Sequence, residues 1–106
     1  MKVLTEGHYY ELEHFEKDES GSSESLQFIE KVPKGEGKVQ DLVTVNNGTT
    51  NEEVLKVLIN RMNYLQAKFP CRENAIVITK LEESLMWLEK RTVDRIARNV
   101  EGKQLK

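Results

Sequence analysis

The fold of this chain is decided by residues 72–100, which read RENAIVITKLEESLMWLEKRTVDRIARNV. Apolar side chains recur three and four positions apart along this stretch, with Asn74 in line with them; they are Ile78, Leu81, Leu85 and Leu88. Such spacing places the side chains on one side of an α-helix, so it predicts a single long helix from Arg72 to Val100. At ~1.5 Å per residue this helix would be about 40 Å long.

Three arginines border the apolar seam of this helix. Arg91, Arg95 and Arg98 follow one another at spacings of four and three, so they project from one side of the helix, next to the seam. Guanidinium groups beside a hydrophobic packing face can form an anion pocket at a helix–helix or subunit interface. The opposite interpretation is that Arg91 and Arg95 pair with Glu89 and Asp94, or stabilise the C-terminal end of the helix dipole. The residues alone favour neither interpretation.

A capping signal and a second apolar stripe predict another helix just before this one. The segment Thr50-Asn51-Glu52-Glu53 has the spacing of a capping box, which starts a helix. The apolar residues that follow keep a helical spacing as far as Pro70; they are Val54, Leu55, Leu58, Met62, Leu65 and Phe69. The connection from Pro70 to Arg72 is short, and short connections make neighbouring helices antiparallel.

The N-terminal region has a different period and predicts a small antiparallel sheet. Apolar and polar residues tend to alternate in three runs, around Tyr10–Leu12, Leu26–Val32 and Leu42–Val45. A solvated loop over residues 16–25 separates the first two runs, and Pro33–Gly37 separates the second from the third. A sheet of three strands cannot be stable alone and must pack on something.

These elements together predict an α+β fold. Residues 1–47 are expected to form the antiparallel sheet region and residues 48–106 an antiparallel helical hairpin, all within one domain, residues 1–106. The sheet and the first helix cannot cover the whole apolar face of the longer helix. Part of that face is therefore expected to pack on another subunit, so that the protein oligomerises through its helices.

The composition excludes several classes of protein. A formal net charge of −2 argues against a general nucleic-acid binder, which would usually show a basic excess. The single cysteine, Cys71, excludes an internal disulfide and any multi-cysteine zinc site. No apolar run approaches the roughly 20 residues of a membrane span, and the N-terminus becomes polar too soon for a secretory signal. We therefore expect a cytoplasmic protein.

No group of residues predicts catalysis, a cofactor or a metal site. His8 and His14 lie in or beside the first strand, but no cysteine or acidic cluster completes a metal site with them. The carboxylates of Glu82 and Glu83 diverge, because neighbouring residues on a helix do not face each other. Cys71 is expected to be a buried structural thiol. The protein is therefore not expected to be an enzyme.

The arginines have potential partners on the first helix. Arg61, Tyr64 and Lys68 share one side of that helix. Packed antiparallel, or met by a second subunit, these positions could surround a site that also contains the Asn74 amide. Guanidinium forks bind phosphate, a tyrosine ring stacks on a base, and an amide reads a base edge. The two helices thus offer a candidate ligand site made of Arg61, Tyr64, Asn74, Arg91, Arg95 and Arg98.

Several stretches resemble a family of phage proteins. The segment from Asn74 to Arg95, NAIVITKLEESLMWLEKRTVDR, is similar to the helical hairpin of phage-encoded sponges, the anti-CBASS and Thoeris anti-defence proteins, and RNVEG at residues 98–102 fits the same pattern. GHYYELEHF at residues 7–15, LQFIEKVP at 26–33 and GTTNEEVLKVLINR at 48–61 resemble the Thoeris anti-defence branch. Together these segments cover most of the chain.

The resemblance implies binding without turnover. Proteins of this family sequester the glycocyclic ADP-ribose signal that TIR-domain enzymes make, and some also hold cyclic di- or trinucleotides at separate sites. They assemble as dimers or hexamers, so two subunits are expected to complete each pocket, with no cofactor, membrane or nucleic-acid polymer as partner. The family's signal pocket uses an aromatic residue, an asparagine and arginines, roles that fall here on Tyr64, Asn74, Arg91 and Arg95.

Two other functions remain open from the residues. The basic end of the hairpin could bind an acidic protein or a nucleic acid, or the chain could be an enzyme that hydrolyses the same nucleotide. A polyanion binder would lose affinity steeply with salt, whereas a buried small-ligand pocket would respond much less. Recovery of intact ligand from a heat-denatured complex would exclude the enzyme.

Overall fold

The computed structural model describes residues 1–17, 19–21, 23–37 and 39–105. Within them, strands precede helices in the order β1 (Lys2–Thr5), β2 (Tyr9–Glu13), β3 (Ser23–Gln27), β4 (Glu30–Lys34), β5 (Asp41–Asn46), α1 (Asn51–Lys68) and α2 (Arg72–Ala97). The α+β class and the placement of the sheet region before the helices are therefore confirmed. The loop predicted over residues 16–25 includes Asp18 and Ser22, which lie outside the described residues.

The strands form two separate sheets, so the prediction of a single three-stranded sheet is wrong. β1, β2 and β3 form one antiparallel sheet in that order, and β4 pairs with β5 in an antiparallel hairpin. All residues of β1 are exposed, and its sequence shows no alternation of apolar and polar residues that would predict a strand. The predicted run Leu26–Val32 is divided between β3 and β4, with Phe28 and Ile29 between them.

A close approach of two backbone segments divides that run and joins the sheet to the first helix. The Thr49 N–H donates to the Gln27 carbonyl oxygen at 2.8 Å, and the Thr49 carbonyl oxygen accepts the Ile29 N–H at 2.9 Å. A Cβ atom at Gly48 would overlap the carbonyl of Gln27, so only glycine lets the two backbones come this close. The bridge fixes Thr50, which caps α1, next to the end of β3.

The two helices form a hairpin whose contact face follows a seven-residue repeat. On α2 the inward positions alternate by four and three residues, and each is buried or half-buried; they are Asn74, Ile78, Leu81, Leu85, Leu88, Thr92 and Arg95. A repeat of this kind keeps one face of a helix directed at its partner. The predicted seam is confirmed from Asn74 to Leu88, and the repeat extends it to Arg95.

The contact face of α1 differs from the predicted stripe at two positions. Leu58 is 43% exposed and Phe69 is 78% exposed. Ile59 and Gln66 are half-buried in their place, because the inward positions of a packed hairpin recur about every 3.5 residues. Phe69 lies just beyond the last helical residue, where its backbone N–H bonds the carbonyl oxygen of Leu65.

A side-chain amide holds the turn between the helices. Gln66 donates from Nε2 to the Cys71 carbonyl oxygen and accepts the Cys71 N–H at Oε1, each at 3.0 Å. The Sγ atom of Cys71 accepts the N–H of Asn74 at 3.4 Å and so caps α2. The expectation of a buried structural thiol is wrong, because Cys71 is exposed.

The first sheet lies against α1 without closing onto it. Leu12 of β2 and Leu26 of β3 face α1 across an apolar groove of about 510 Å³, which Val54, Val57 and Leu58 line from the other side. The sheet therefore faces α1, and the space between their apolar side chains stays open.

The molecule has little interior. Its Cα atoms span 54 × 36 × 14 Å, which is too thin to enclose a core of ordinary depth. Among the described residues, Ile78 is the one buried hydrophobic side chain and Arg95 is the one buried polar side chain. Large apolar side chains stay exposed on both helices, including Val57 and Val93. In the described part of the chain, neither helix is long and apolar enough to cross a membrane.

The contribution of the α1 cap to stability can be tested by mutation of Thr50. The Thr50 hydroxyl accepts the N–H of Glu53 at 3.2 Å, so Thr50→Ala should lower the free energy of unfolding by about 1 kcal/mol. Thr50→Ser keeps the hydroxyl and should retain most of the stability that the cap provides. Urea denaturation followed by circular dichroism measures both variants. Equal losses in the two would show that the cap bond does not stabilise the helix.

Candidate functional site

The longer helix extends past its partner, and the candidate site lies on this extension. α2 has 26 residues and α1 has 18, so α2 is eight residues longer. At ~1.5 Å per residue, about 12 Å of α2 lies beyond the start of α1. Arg91 and Arg95 lie in this extension, and Arg98 is the C-cap residue of α2.

Arg95 is buried by the chain's own C-terminal turn. Its side chain is only 6% exposed. Nε donates to the Glu101 carboxylate at 3.1 Å, and one terminal nitrogen donates to the carbonyl oxygens of Val100 and Lys103, each at 2.9 Å. The other terminal nitrogen, Nη1, is buried and has no hydrogen-bond partner among the described residues. Most of the guanidinium is therefore committed to holding residues 100–103.

The turn that covers Arg95 also ties α2 to β5. The N–H of Leu42 donates to the Gly102 carbonyl oxygen at 3.0 Å, and the N–H of Gln104 donates to the Gln40 carbonyl oxygen at 3.1 Å. The Lys103 ammonium pairs with the Asp41 carboxylate. The β4–β5 hairpin is thus connected to the end of α2 through the residues that Arg95 holds.

This turn also ends α2 earlier than the sequence predicts. The helix stops at Ala97 instead of Val100, because Asn99 adopts a left-handed backbone with φ of 58°. Asparagine tolerates that conformation, and the N–H of Val100 then bonds back to the Arg95 carbonyl oxygen at 3.0 Å, a pattern that terminates helices.

Arg91 has the opposite environment, although it lies one turn before Arg95. It is exposed, and it forms no hydrogen bond or ion pair with any residue that the structure describes. The predicted alternative, pairing with Asp94, is not formed because Lys90 binds that carboxylate at 2.8 Å. Arg91 lines an open cavity of about 290 Å³ together with Trp87, Lys90, Asp94 and Arg98.

Trp87 belongs to this cavity, and sequence reasoning missed it. It lies four residues before Arg91, a spacing that puts two side chains on the same side of a helix. Its side chain is 58% exposed. The signal was present in the sequence, since the same spacing that grouped the arginines also reaches back to Trp87.

The remaining predicted residues lie at the other end of the hairpin. Tyr64 is 55% exposed, and the Lys68 ammonium lies 4.8 Å from the centre of its ring. Asn74 is half-buried in the first turn of α2, and Arg61 is exposed on α1. One face of the tyrosine ring is thus close to a cation of its own helix.

A single chain does not bring the two groups of predicted residues together. Asn74 and Arg91 are 17 positions apart on one continuous helix, which corresponds to about 26 Å. One nucleotide cannot span that distance along the helix. The structure groups Tyr64, Lys68 and Asn74 near the inter-helix turn, and Arg91 with Arg98 at the far end.

The chain matches known proteins over more than half of its length. The family model for the Acb2/Tad1 hairpin domain matches residues 30–93, a range that includes Tyr64, Asn74 and Arg91 and ends before Arg95. The chain is also similar to Thoeris anti-defense 1 of Bacillus phage SBSphiJ7, with 56% identity over 57 residues. The alignment covers 53% of this chain and 40% of that relative, so the chain spans about two-fifths of the relative's length.

The contrast between Arg95 and Arg91 gives a matched pair of variants. Arg95→Met removes one of the two donors of the Val100 carbonyl, one of the two donors of the Lys103 carbonyl and the ion partner of Glu101, so we expect the free energy of unfolding to fall by about 2 kcal/mol or more. Hydrogen exchange at the Leu42 and Gln104 amides should accelerate, because the turn that binds them is released.

Arg91→Met is the control, since it removes the same group from the same helix. It should change the free energy of unfolding by no more than about 0.5 kcal/mol. If both variants are equally stable, Arg95 does not hold the turn.

Proposed function

Since the chain belongs to the Acb2/Tad1 hairpin-domain family, we propose that it is a non-catalytic sponge that binds a glycocyclic ADP-ribose signal and blocks Thoeris-type antiphage defence. The name of its relative, Thoeris anti-defense 1, supports the biological role. Such a protein acts in the cytoplasm of the infected host cell, where the signal is made. It requires tight binding and slow release and needs no acid–base groups. Cyclic di- or trinucleotides are further candidate ligands of the same chemical class.

The observation that carries the proposal is the unsatisfied cation Arg91 beside an aromatic ring. Its guanidinium has no partner among the described residues, yet it lines a cavity with Trp87 and lies inside the region that the family model matches. A guanidinium binds phosphate oxygens through two parallel hydrogen bonds. Arg91 is therefore suited to the pyrophosphate of the ligand, with Arg98 at the same cavity.

Arg95 has a smaller part in this proposal than the sequence suggests. Two of its three nitrogens bind Glu101 and backbone carbonyls, and the third, Nη1, is buried, so Arg95 offers a phosphate little exposed surface. Its main contribution is to hold the turn after α2, which positions the residues around Arg98.

The pocket is completed by a second copy of the chain. Tyr64 stacks on the adenine and Asn74 orients the base or ribose, with Arg61 nearby, while Arg91 of another subunit neutralises the pyrophosphate. This arrangement follows from the distance of about 26 Å between the two groups within one chain. A dimer or hexamer would also cover apolar side chains that one chain leaves exposed, such as Val57 and Val93.

Titration with glycocyclic ADP-ribose tests the binding role of Arg91. Isothermal titration calorimetry should show tight binding to the wild type and a loss of at least about 30-fold in Arg91→Ala, because a phosphate loses its charged partner. Lys17→Ala removes the same charge from an exposed loop residue and should bind like the wild type.

The same titration can contradict the proposal in two ways. If the wild type binds no glycocyclic ADP-ribose isomer and no cyclic di- or trinucleotide, the sponge function is wrong. If it binds but the heat-denatured complex releases only hydrolysed ligand, the protein is an enzyme and not a sponge.

Mixing two inactive variants tests the shared pocket. Asn74→Ala and Arg91→Ala should each bind poorly alone, because every pocket lacks one half. In a mixed oligomer, some pockets combine an intact Asn74 with an intact Arg91 from different subunits, so part of the binding capacity should return. No recovery after confirmed subunit exchange would show that both residues act within one chain.

A further inference from the structure

Trp87 has the one aromatic ring in the cavity that contains Arg91. It is the single tryptophan of the chain, and 58% of its surface is exposed. Its ring has no aromatic or cationic partner among the residues that the structure describes, in contrast to the ring of Tyr64, which lies near Lys68. A large aromatic surface is therefore left uncovered beside an unpaired guanidinium.

The spacing of these two side chains fits one nucleotide. Residues four apart on a helix have Cβ atoms about 5–6 Å apart, which is comparable with the separation between the phosphate and the base of a nucleotide. A ligand whose phosphate binds Arg91 therefore brings its base or its adjoining ring within reach of Trp87. Stacking on an aromatic side chain suits any base, because every base has a π-face.

The charges around Trp87 favour an anionic ring-bearing ligand over an apolar protein surface. The cavity also holds Lys90, Asp94 and Arg98, and the Lys90–Asp94 ion pair is half-exposed on its wall. An apolar partner docking on Trp87 would have to bury Arg91 without a counter-charge, which is costly. A nucleotide supplies that counter-charge and the ring together.

We propose that Trp87 is a specificity-determining residue, which stacks on the nucleobase of the ligand whose phosphate Arg91 binds. This inference rests on the proposed function and extends it, because it makes the Arg91 cavity select base-bearing ligands. The base then lies between Trp87 of one subunit and Tyr64 of another, with one aromatic ring stacked on each of its two faces.

Tryptophan fluorescence and calorimetry test this role on the full chain with glycocyclic ADP-ribose as the probe. Binding should quench the emission of Trp87 directly, since no other tryptophan contributes. Trp87→Leu keeps an apolar side chain without a π-face and should weaken binding about tenfold. Trp87→Phe should restore most of the affinity.

Two further measurements separate stacking from a structural role. Met86→Leu changes the neighbouring exposed apolar residue and should bind like the wild type. Sedimentation equilibrium should give the same assembly state for wild type and Trp87→Leu.

The outcomes distinguish this inference from the function on which it rests. If the wild type binds and Arg91→Ala does not, but Trp87→Leu binds like the wild type, stacking is wrong and the sponge function stands. If Trp87→Phe is as weak as Trp87→Leu, or Trp87→Leu alters the assembly, Trp87 is an interface residue and the inference is wrong. If the wild type binds no cyclic nucleotide, both are wrong.

Discussion

The buried guanidinium of Arg95 is the interaction on which the far end of this molecule depends. α2 extends about 12 Å past α1, so nothing from the first helix supports it there. Arg95 compensates by binding the Glu101 carboxylate and two backbone carbonyls of the following turn. The same turn is hydrogen-bonded to β5. One side chain therefore connects the helix, the C-terminal residues and the β4–β5 hairpin. A buried cation requires this degree of hydrogen bonding, because an unpaired one would be strongly destabilising.

This arrangement separates the roles of two arginines that lie one helical turn apart. Arg95 is inward on the seven-residue repeat and is used by the fold. Arg91 is outward, has no partner among the described residues and faces a cavity with Trp87. Because Arg95 fixes the extension of α2, Arg91 is presented on a supported helix instead of a frayed end. In the proposed function, this supported placement lowers the entropic cost of binding the ligand.

Assembly with a second copy of the chain would address two features of the molecule: its small core and the distance between its two groups of candidate ligand residues. One chain buries a single hydrophobic side chain among the residues described, Ile78, and its two groups of candidate ligand residues lie at opposite ends of the hairpin. A second copy placed along the helices would cover apolar surface and bring the groups together. The stability of the fold and the completeness of the pocket would then both depend on assembly, which is the arrangement proposed for this member of the family.

The sequence by itself determined the presence of the two helices, the cap of α1 and the charged character of the far end. Those features are local: Thr50 caps α1 within one turn, and a repeat of three and four residues needs only the helix itself. The division of Leu26–Val32 could not be predicted, because it depends on Thr49 bonding to Gln27 and Ile29 across a distant part of the chain. Which arginine is buried and which is exposed was also decided only by the tertiary structure. Arg91 and Arg95 look alike in sequence, but the turn that buries Arg95 is held by a contact between Lys103 and Asp41, 62 residues apart. Contacts between residues so far apart leave no periodic signal, so only the folded chain shows which guanidinium remains available.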